Sequence, residues 1–298
     1  MKVYCKKILP HQLKKIYIKF QNYRHRDIIF HYSIKELAYV YRKMRGLKTH
    51  STEIETIAIR GSYADYAFFP KYISNSYNLG LTSTDVYFSY HLYLKLKAML
   101  PHLKNVVYYM NGYASGMSLI MLKEKYRLVS YKYFFDIPYQ EEGLIDEKIE
   151  KTILKECKNF KTNVPNNYLG YEKTKTYMTK VTAEYRAKSI LRENRRKPDQ
   201  MIWIKKLIDQ VIEDKKNIFI VIPPYSTALK ACLPPQEELY EKTYNLISNF
   251  KDFSNVTLID LYNSDLFDDS DMGDNDHFNE KGAKKCTLIV KDYLDKKR

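Results

Sequence analysis

The sequence predicts an α/β fold, a three-layer sandwich in which helices cover both faces of a roughly five-stranded parallel sheet. Three observations predict it: short apolar segments of strand length, helical segments that alternate with them, and polar or glycine-containing turns after four of the strands. Strands that are apolar along their whole length are typical of parallel sheets, because both of their faces are buried. A chain of 298 residues with 45% hydrophobic residues is long enough for such a core.

Five segments have the composition and length of strands. They are residues 56–59, 77–80, 105–110, 217–222 and 255–261. Apolar residues recur at helical spacing, or helix-forming residues predominate, in segments between and beyond the strands, namely 84–100, 151–161, 177–196, 235–250 and 280–294. The pair Thr84-Asp85 is suited to cap the first of these helices and Pro101 to end it.

The sequence also predicts how the domain is organised. Residues 1–50 are expected to form a basic, partly helical N-terminal extension, and residues 51–298 the α/β domain. About a hundred residues, 112–216, separate the third strand from the fourth, which is too many for a single crossover. We therefore expect a helical insertion at about 112–216 that covers the edge of the sheet.

Positive charge is concentrated in two segments. Residues 1–50 contain 13 Lys and Arg against 2 acidic residues, and residues 151–200 contain 13 against 5, within a chain of net charge +15. Such segments favour polyanions, here an anionic glycan or a membrane surface, although a solvated lysine-rich surface explains them equally well. The sequence contains no nucleic-acid-binding motif, so nucleic acid is not an expected partner.

Cysteine usage and hydropathy indicate the compartment. The four cysteines show no pairing pattern and are expected to be reduced thiols. No apolar run is long enough to span a bilayer, and the N-terminus lacks the apolar region of a signal peptide. We expect a cytoplasmic protein, with peripheral attachment to the inner membrane as an open alternative, and no cofactor.

A carboxylate and a histidine lie close together near the C-terminus. Asp274 precedes His277 by three residues in a polar loop before a helix, so it can bond the imidazole Nδ1–H and leave Nε2 as a general base. The alternative is a surface histidine in an acidic loop. Six aspartates between Asp265 and Asp276 are expected to form a solvated loop rather than a metal site, because they lack the glycine and distal glutamate of a calcium-binding loop.

Other candidate residues follow the predicted strands, where ligands bind in open parallel sheets. Ser62 follows the first strand and is the candidate nucleophile, with its hydroxyl exposed at a strand-to-helix turn. The backbone N–H groups of Ser62 and Gly80 and the side-chain amide of Asn111 could bind an oxyanion. Each has a plainer explanation: a helix cap, a turn and a loop hydrogen bond.

The order and spacing of these residues resemble the SGNH/GDSL hydrolase superfamily, over about residues 52–112 and 215–296. The matching segments are Arg60-Gly61-Ser62-Tyr63-Ala64, which is similar to a Gly-Ser-Ser-Tyr-Ala form of the nucleophile block, Asn78-Leu79-Gly80, and Asp274-x-x-His277 followed by Asn279 and Gly282. The chain departs from the family at Arg60, where glycine is usual, at Gly61, where Asp or Ser is usual, and at Asn111, which lacks the Gly-x-Asn-Asp context.

The resemblance implies a flavodoxin-like sheet and acyl chemistry. Ser62, Asp274 and His277 would be the catalytic residues of a serine-dependent acyl ester hydrolase or O-acyltransferase that acts on a carbohydrate-type ester through an acyl-serine intermediate. The chain also resembles cytoplasmic bacterial members of the superfamily that are linked to surface-polysaccharide synthesis.

Candidate substrate contacts and a rival function complete the expectations. Tyr63, Pro224 and Tyr225 would contact the acyl group or the sugar, with a proline-stiffened loop as the alternative for the latter two. The rival function is a catalytically decayed member of the same fold that docks on a polyanion or an anionic membrane through its basic arm.

Overall fold

The computed structural model describes residues 26–160, 168–174, 181–196 and 199–297. Among them, residues 26–44 and 119–160 form a smaller compact unit, and the remainder form a larger unit that contains the sheet and every candidate site residue. The predicted N-terminal extension lies partly outside the described residues, because the description begins at Arg26. The predicted insertion at 112–216 is divided between the two units.

The larger unit is built on a five-stranded parallel sheet, as predicted. Its strands are β1 (Thr56–Ile59), β2 (Ser76–Asn78), β3 (Asn105–Tyr109), β4 (Asn217–Ile222) and β5 (Val256–Asp260). Their spatial order is β2-β1-β3-β4-β5, and every neighbouring pair is parallel. This is the order of one class of doubly wound folds, in which ligands bind beyond the carboxyl ends of the strands.

Helices alternate with these strands and flank the sheet. In chain order they are α1 (Arg26–Thr49), α2 (Gly61–Ala67), α3 (Val86–Met99), α4 (Arg127–Phe135), α5 (Glu147–Asn159), α6 (Ala183–Asn194), α7 (Met201–Glu213), α8 (Thr227–Lys230), α9 (Gln236–Leu239), α10 (Glu241–Ser248) and α11 (Glu280–Asp295). Helix α2 packs on α11, and α7 packs on both α3 and α10, which gives the α/β sandwich that the sequence predicts. Helices α4 and α5 belong to the smaller unit.

Two helices show where local signals succeed and fail. Asp85 caps α3 as predicted, since its carboxylate accepts a hydrogen bond of 2.8 Å from the Phe88 N–H. The single helix predicted over 235–250 is instead two helices, α9 and α10, separated at Tyr240, whose φ of −107° and ψ of 13° are not helical. Tyr240 is buried, and its hydroxyl bonds the hydroxyl of Tyr225 at 3.3 Å, so tertiary packing determines the break.

None of the helices in the described part of the chain is long and apolar enough to cross a bilayer.

Glycine is required at position 80 by close packing between β2 and α2. A Cβ atom there would lie 2.3 Å from the backbone nitrogen of Asp65 and 2.8 Å from the carbonyl oxygen of Gly61. Gly80→Ala is therefore expected to lower the free energy of unfolding by about 2–3 kcal/mol, since backbone atoms cannot move aside as a side chain can. Urea unfolding of the purified variant measures this loss.

Gly112→Ala is the matched control for that substitution. The three atoms nearest to its added methyl group would all belong to the side chain of Leu239, the nearest at 3.0 Å, so a smaller loss is expected. Equal stability of Gly80→Ala and the unsubstituted protein would contradict the close packing of α2 at this position.

Candidate active site

The candidate nucleophile lies on a tight turn between β1 and α2. Arg60 has a φ of 96° and Gly61 a φ of 56°, and Ser62, half-buried, follows as the second residue of α2. Thr84 braces this turn: its Oγ1 accepts a 2.8 Å hydrogen bond from the Gly61 N–H, and its carbonyl oxygen accepts one from Nη1 of Arg60. The turn thus presents the Ser62 side chain beyond the carboxyl end of β1.

Arg60 takes a backbone conformation that favours glycine. A positive φ costs a non-glycine residue of order 1–3 kcal/mol, and it persists only where the surroundings enforce it. The Arg60 side chain is almost fully buried, and its Nε and Nη2 atoms have no hydrogen-bond partner among the described residues. Arg60 therefore adopts this turn at a position where glycine was expected, and it buries a cation beside the turn.

Asn78 and Gly80 connect β2 to α2. The side-chain amide of Asn78 donates to the carbonyl oxygens of Ala64 (2.8 Å), Asp65 (3.1 Å) and Phe68 (2.6 Å). Its Oδ1 accepts a 2.9 Å hydrogen bond from the Gly80 N–H. The Gly80 N–H therefore already has an acceptor within the protein, and its use as an oxyanion donor stays a prediction.

The loop that carries the candidate base is held by its own aspartate. Oδ1 of Asp274 accepts hydrogen bonds from the backbone N–H groups of Asp276 (2.9 Å) and His277 (2.8 Å). Asn279 then caps α11, accepting from the N–H of Gly282 at 3.1 Å. A Cβ at Gly282 would lie 2.3 Å from the carbonyl oxygen of Asp271, so glycine lets the loop lie close against α11.

His277 contacts both partners that an acyl-transfer triad requires. Its Nε2 lies 2.7 Å from Oγ of Ser62, and its Nδ1 lies 2.9 Å from Oδ2 of Asp274. Because a carboxylate cannot donate, Nδ1 carries the proton of the neutral ring and Nε2 accepts from the serine hydroxyl. Ser62 and His277 are 215 positions apart in the chain, and the fold brings them together.

A second carboxylate, Asp276, also faces the imidazole and was missed by sequence reasoning. Its Oδ1 lies 3.5 Å from Nδ1 of His277. Its Oδ2 accepts from Nε of Arg186 at 2.8 Å, from Nη2 of the same guanidinium and from the hydroxyl of Tyr63. Arg186 lies on α6, in the span that the resemblance does not cover, so no motif linked it to the site.

The expectation that residues 265–276 form a solvated loop is wrong at two positions. Asp271 is fully buried and pairs with Nζ of Lys285 at 2.7 Å, and Asp276 is 4% exposed. The density of aspartates suggested a hydrated surface, but each of these two has a cationic partner that makes burial possible. The Asp-x-Asp-His spacing was the available signal that a second acid could reach the imidazole.

Burial and charge act in opposite directions on the acid and the base. Burial lowers the pKa of His277, but Asp276 and Asp274 outweigh that effect, and the pKa is raised above its ordinary value. Burial opposes the charged form of Asp276, yet the cations Arg186 and His277 hold the pKa of this carboxyl below its usual range. Asp276 is therefore ionised near neutral pH.

The remaining predicted residues are buried side chains. The rings of Tyr63 and His277 have their centroids 5.0 Å apart. Tyr63, Pro224 and Tyr225 are buried, and the Tyr225 hydroxyl accepts from the Gly112 N–H at 3.0 Å. Asn111 is buried, and its Oδ1 has no partner among the described residues. The predicted substrate contacts of Tyr63, Pro224 and Tyr225 would require access to side chains that are buried here.

Asp274, Asp276 and His277 are also close enough together to ligate a metal ion, with one atom of each within 4.8 Å of the others. Their other partners disfavour that use. Nδ1 of His277 donates to Asp274, and Asp276 is already neutralised by Arg186, whose cation would repel a metal ion. The arrangement favours proton transfer.

The chain was compared with known proteins. No model of a protein family matches it, and no curated protein matches it in sequence. A solved structure described as "a putative platelet activating factor from Streptococcus pneumonia" is similar over 92% of this chain and 99% of its own, with 14% identity and a TM-score of 0.46. Similarity at this level identifies neither a family nor a substrate.

Proposed function

We propose that this protein is a serine-dependent acyl ester hydrolase or O-acyltransferase of the SGNH/GDSL type, acting on a carbohydrate-type ester through an acyl-serine intermediate. The observation that carries the proposal is the 2.7 Å contact between Oγ of Ser62 and Nε2 of His277, with Asp274 on the opposite ring nitrogen. A catalytically decayed protein gains nothing from holding the serine and the aspartate within hydrogen-bonding distance of the histidine, so the geometry favours the enzyme over the binding-protein alternative.

The residues support the following reaction. Oγ of Ser62 attacks the ester carbonyl carbon while its proton passes to Nε2 of His277, which gives a tetrahedral intermediate. The ester C–O bond then breaks, and the leaving alcohol takes the proton from Nε2. Water or an acceptor hydroxyl attacks the acyl-serine, its proton passes to Nε2, and that proton returns to Ser62 as the acyl group leaves.

The developing oxyanion needs hydrogen-bond donors at the carboxyl end of the sheet. The predicted donors are the N–H groups of Ser62 and Gly80 and the side-chain amide of Asn111. Asn111 follows β3 directly, and its side-chain Nδ2 is the atom that would donate to the oxyanion. Removing one such donor typically costs on the order of 10²–10³ in kcat.

The proposed substrate and location extend the sequence expectations. A chain of net charge +15 favours an anionic glycan or an anionic membrane surface as a partner, through residues 1–50 and 151–200, and we retain a cytoplasmic location as a proposal. Within the second segment, Arg186 pairs with Asp276 and Arg196 with Glu193. These two cations are paired within the protein, as are Lys151, Lys173 and Arg192, and the other basic residues of the segment would contact the polyanion.

A fluorophosphonate probe tests the proposed function. It phosphonylates serines that an adjacent base activates, so we expect a single adduct, located by peptide mass spectrometry on Ser62. Heat-unfolded protein is the control and should not react. An unlabelled native protein, or an adduct elsewhere in the chain, would contradict the proposal.

The raised pKa of His277 predicts how activity depends on pH. Only the neutral imidazole can accept the Ser62 proton, so activity is full above the pKa of His277 and falls as pH drops through it. Because that pKa is raised, the acid limb of kcat/KM is expected at a pH above the ordinary histidine value of about 6.5. Hydrolysis of p-nitrophenyl acetate across the pH range measures the limb, and a midpoint below that value would contradict the prediction.

A further inference from the structure

Asp276 is a buried acid that the triad of Ser62, His277 and Asp274 does not require. One of its oxygens, Oδ2, accepts from both Nε and Nη2 of Arg186 and from the Tyr63 hydroxyl. The other, Oδ1, faces Nδ1 of His277 at 3.5 Å. The donors on one oxygen therefore fix the direction in which the other one points.

We propose that Asp276 and Arg186 form a positioning pair that acts through His277. Asp276, together with Asp274, stabilises the protonated imidazole by its negative charge. Arg186 holds Asp276 in place, and its positive charge reduces that stabilisation. This inference rests on the proposed acyl-transfer function, because stabilising the imidazolium serves catalysis only if His277 takes the serine proton. The proposed site therefore has three charged groups, Asp274, Asp276 and Arg186, around His277.

Electrostatics explains why the cation is needed. Two carboxylates directed at one ring nitrogen repel each other, and burial strengthens that repulsion. Arg186 compensates the negative charge of Asp276 and lowers the pKa of this carboxyl, so that Asp276 can stay ionised beside Asp274. Its side chain is 25% exposed, whereas that of Asp276 is 4% exposed, so the cation covers the buried acid on its outer side.

The groups that face His277 come from three elements. They are Asp274 and Asp276 from its own loop, Ser62, Tyr63 and Tyr66 from α2, and Arg186 from α6. Burial lowers the pKa of His277, both aspartates raise it, and Arg186 lowers it. Removing the acid and removing the cation should therefore have opposite effects on the base.

Two substitutions test the pair through the pH dependence of fluorophosphonate labelling of Ser62, a readout that needs no natural substrate. Asp276→Asn removes a negative charge beside the ring of His277. The pH at which labelling falls on the acid side should therefore be lower by about one unit in this variant. Arg186→Met removes the positive charge, so its acid limb should move to higher pH. Loss of packing alone does not produce shifts of opposite sign. Arg186→Lys keeps the charge and should restore the wild-type limb.

Two matched controls separate this effect from general destabilisation. Asp271→Asn removes a buried acid of the same segment, which pairs with Lys285, and Arg192→Met removes an exposed arginine of the same helix, which pairs with Glu193. Both should keep the wild-type acid limb.

The outcomes distinguish this inference from the proposed function. If Ser62 is labelled in the wild type, but labelling of Asp276→Asn and Arg186→Met falls at the same acidic pH as in the wild type, the positioning pair is overturned. The assignment of Ser62 as the nucleophile then stands. If Ser62 is not labelled in the wild type, the proposed function itself fails. Should Arg186→Met not fold, Asp276→Asn decides alone, and an acid limb that stays in place or moves upward overturns the pair.

Discussion

Replacing Ser62 with alanine is expected to reduce ester hydrolysis by a factor on the order of 10⁴ or more. The reason is that the alanine variant has no Oγ to attack the ester carbonyl, while the fold around it is preserved. The small methyl side chain fits the half-buried position, so thermal unfolding should change little. Turnover of p-nitrophenyl acetate by the purified variant, compared with wild type at equal concentration, measures the loss.

The matched control is Ser248→Ala. Ser248 lies at the end of α10, where it is exposed and its hydroxyl donates to the carbonyl oxygen of Asn245 at 2.9 Å. Its activity should equal that of the wild type. If Ser62→Ala retains more than about a tenth of wild-type activity, the nucleophile assignment is wrong, because a catalytic serine cannot be removed at so small a cost.

Replacing His277 is expected to have nearly as large an effect. His277→Ala removes the base that contacts the Ser62 hydroxyl, and kcat should fall on the order of 10⁴-fold or more. The effects of the two residues should not be additive. The double variant Ser62→Ala/His277→Ala should be about as inactive as either single variant, since the hydroxyl and the base act as one unit.

Stability must be measured beside activity for this variant, because His277 is 7% exposed and packs against the rings of Tyr63 and Tyr66. His277→Gln keeps more of that packing and should be equally inactive. His102→Ala, at an exposed position, is the control and should retain full activity. An active His277→Gln variant that is folded would show that another group takes the serine proton.

The strands were predictable because their signal is local. β1 and β4 were predicted with the bounds that the structure has, Thr56–Ile59 and Asn217–Ile222, since continuous apolar segments are buried on both faces of a parallel sheet. The break at Tyr240 was not predictable, because it depends on a hydrogen bond with Tyr225 that only the folded chain forms. The residues of helix α7 were predicted to belong to the insertion, but the buried face of this helix packs on β4 of the sheet.

The candidate site also contains residues that local sequence signals could predict and residues that they could not. Asp274 and His277 lie three residues apart, and Ser62 follows a recognisable strand, so the sequence could place them in one hypothesis. Arg186 lies 90 positions from Asp276 in a segment without a motif, and no spacing rule links the two. The acidic composition around Asp276 also pointed to solvent, and only its cationic partner explains its burial.

The central claim is that the hydroxyl of Ser62 forms a covalent bond with the acyl group. The most direct measurement is to mix the protein with p-nitrophenyl acetate, quench with acid at short times, and map the acylated peptide by mass spectrometry. We predict an acetyl group on Ser62 that accumulates with a burst of p-nitrophenol and is absent from His277→Gln. Acetylation confined to lysines, or equal in His277→Gln and wild type, would contradict the claim.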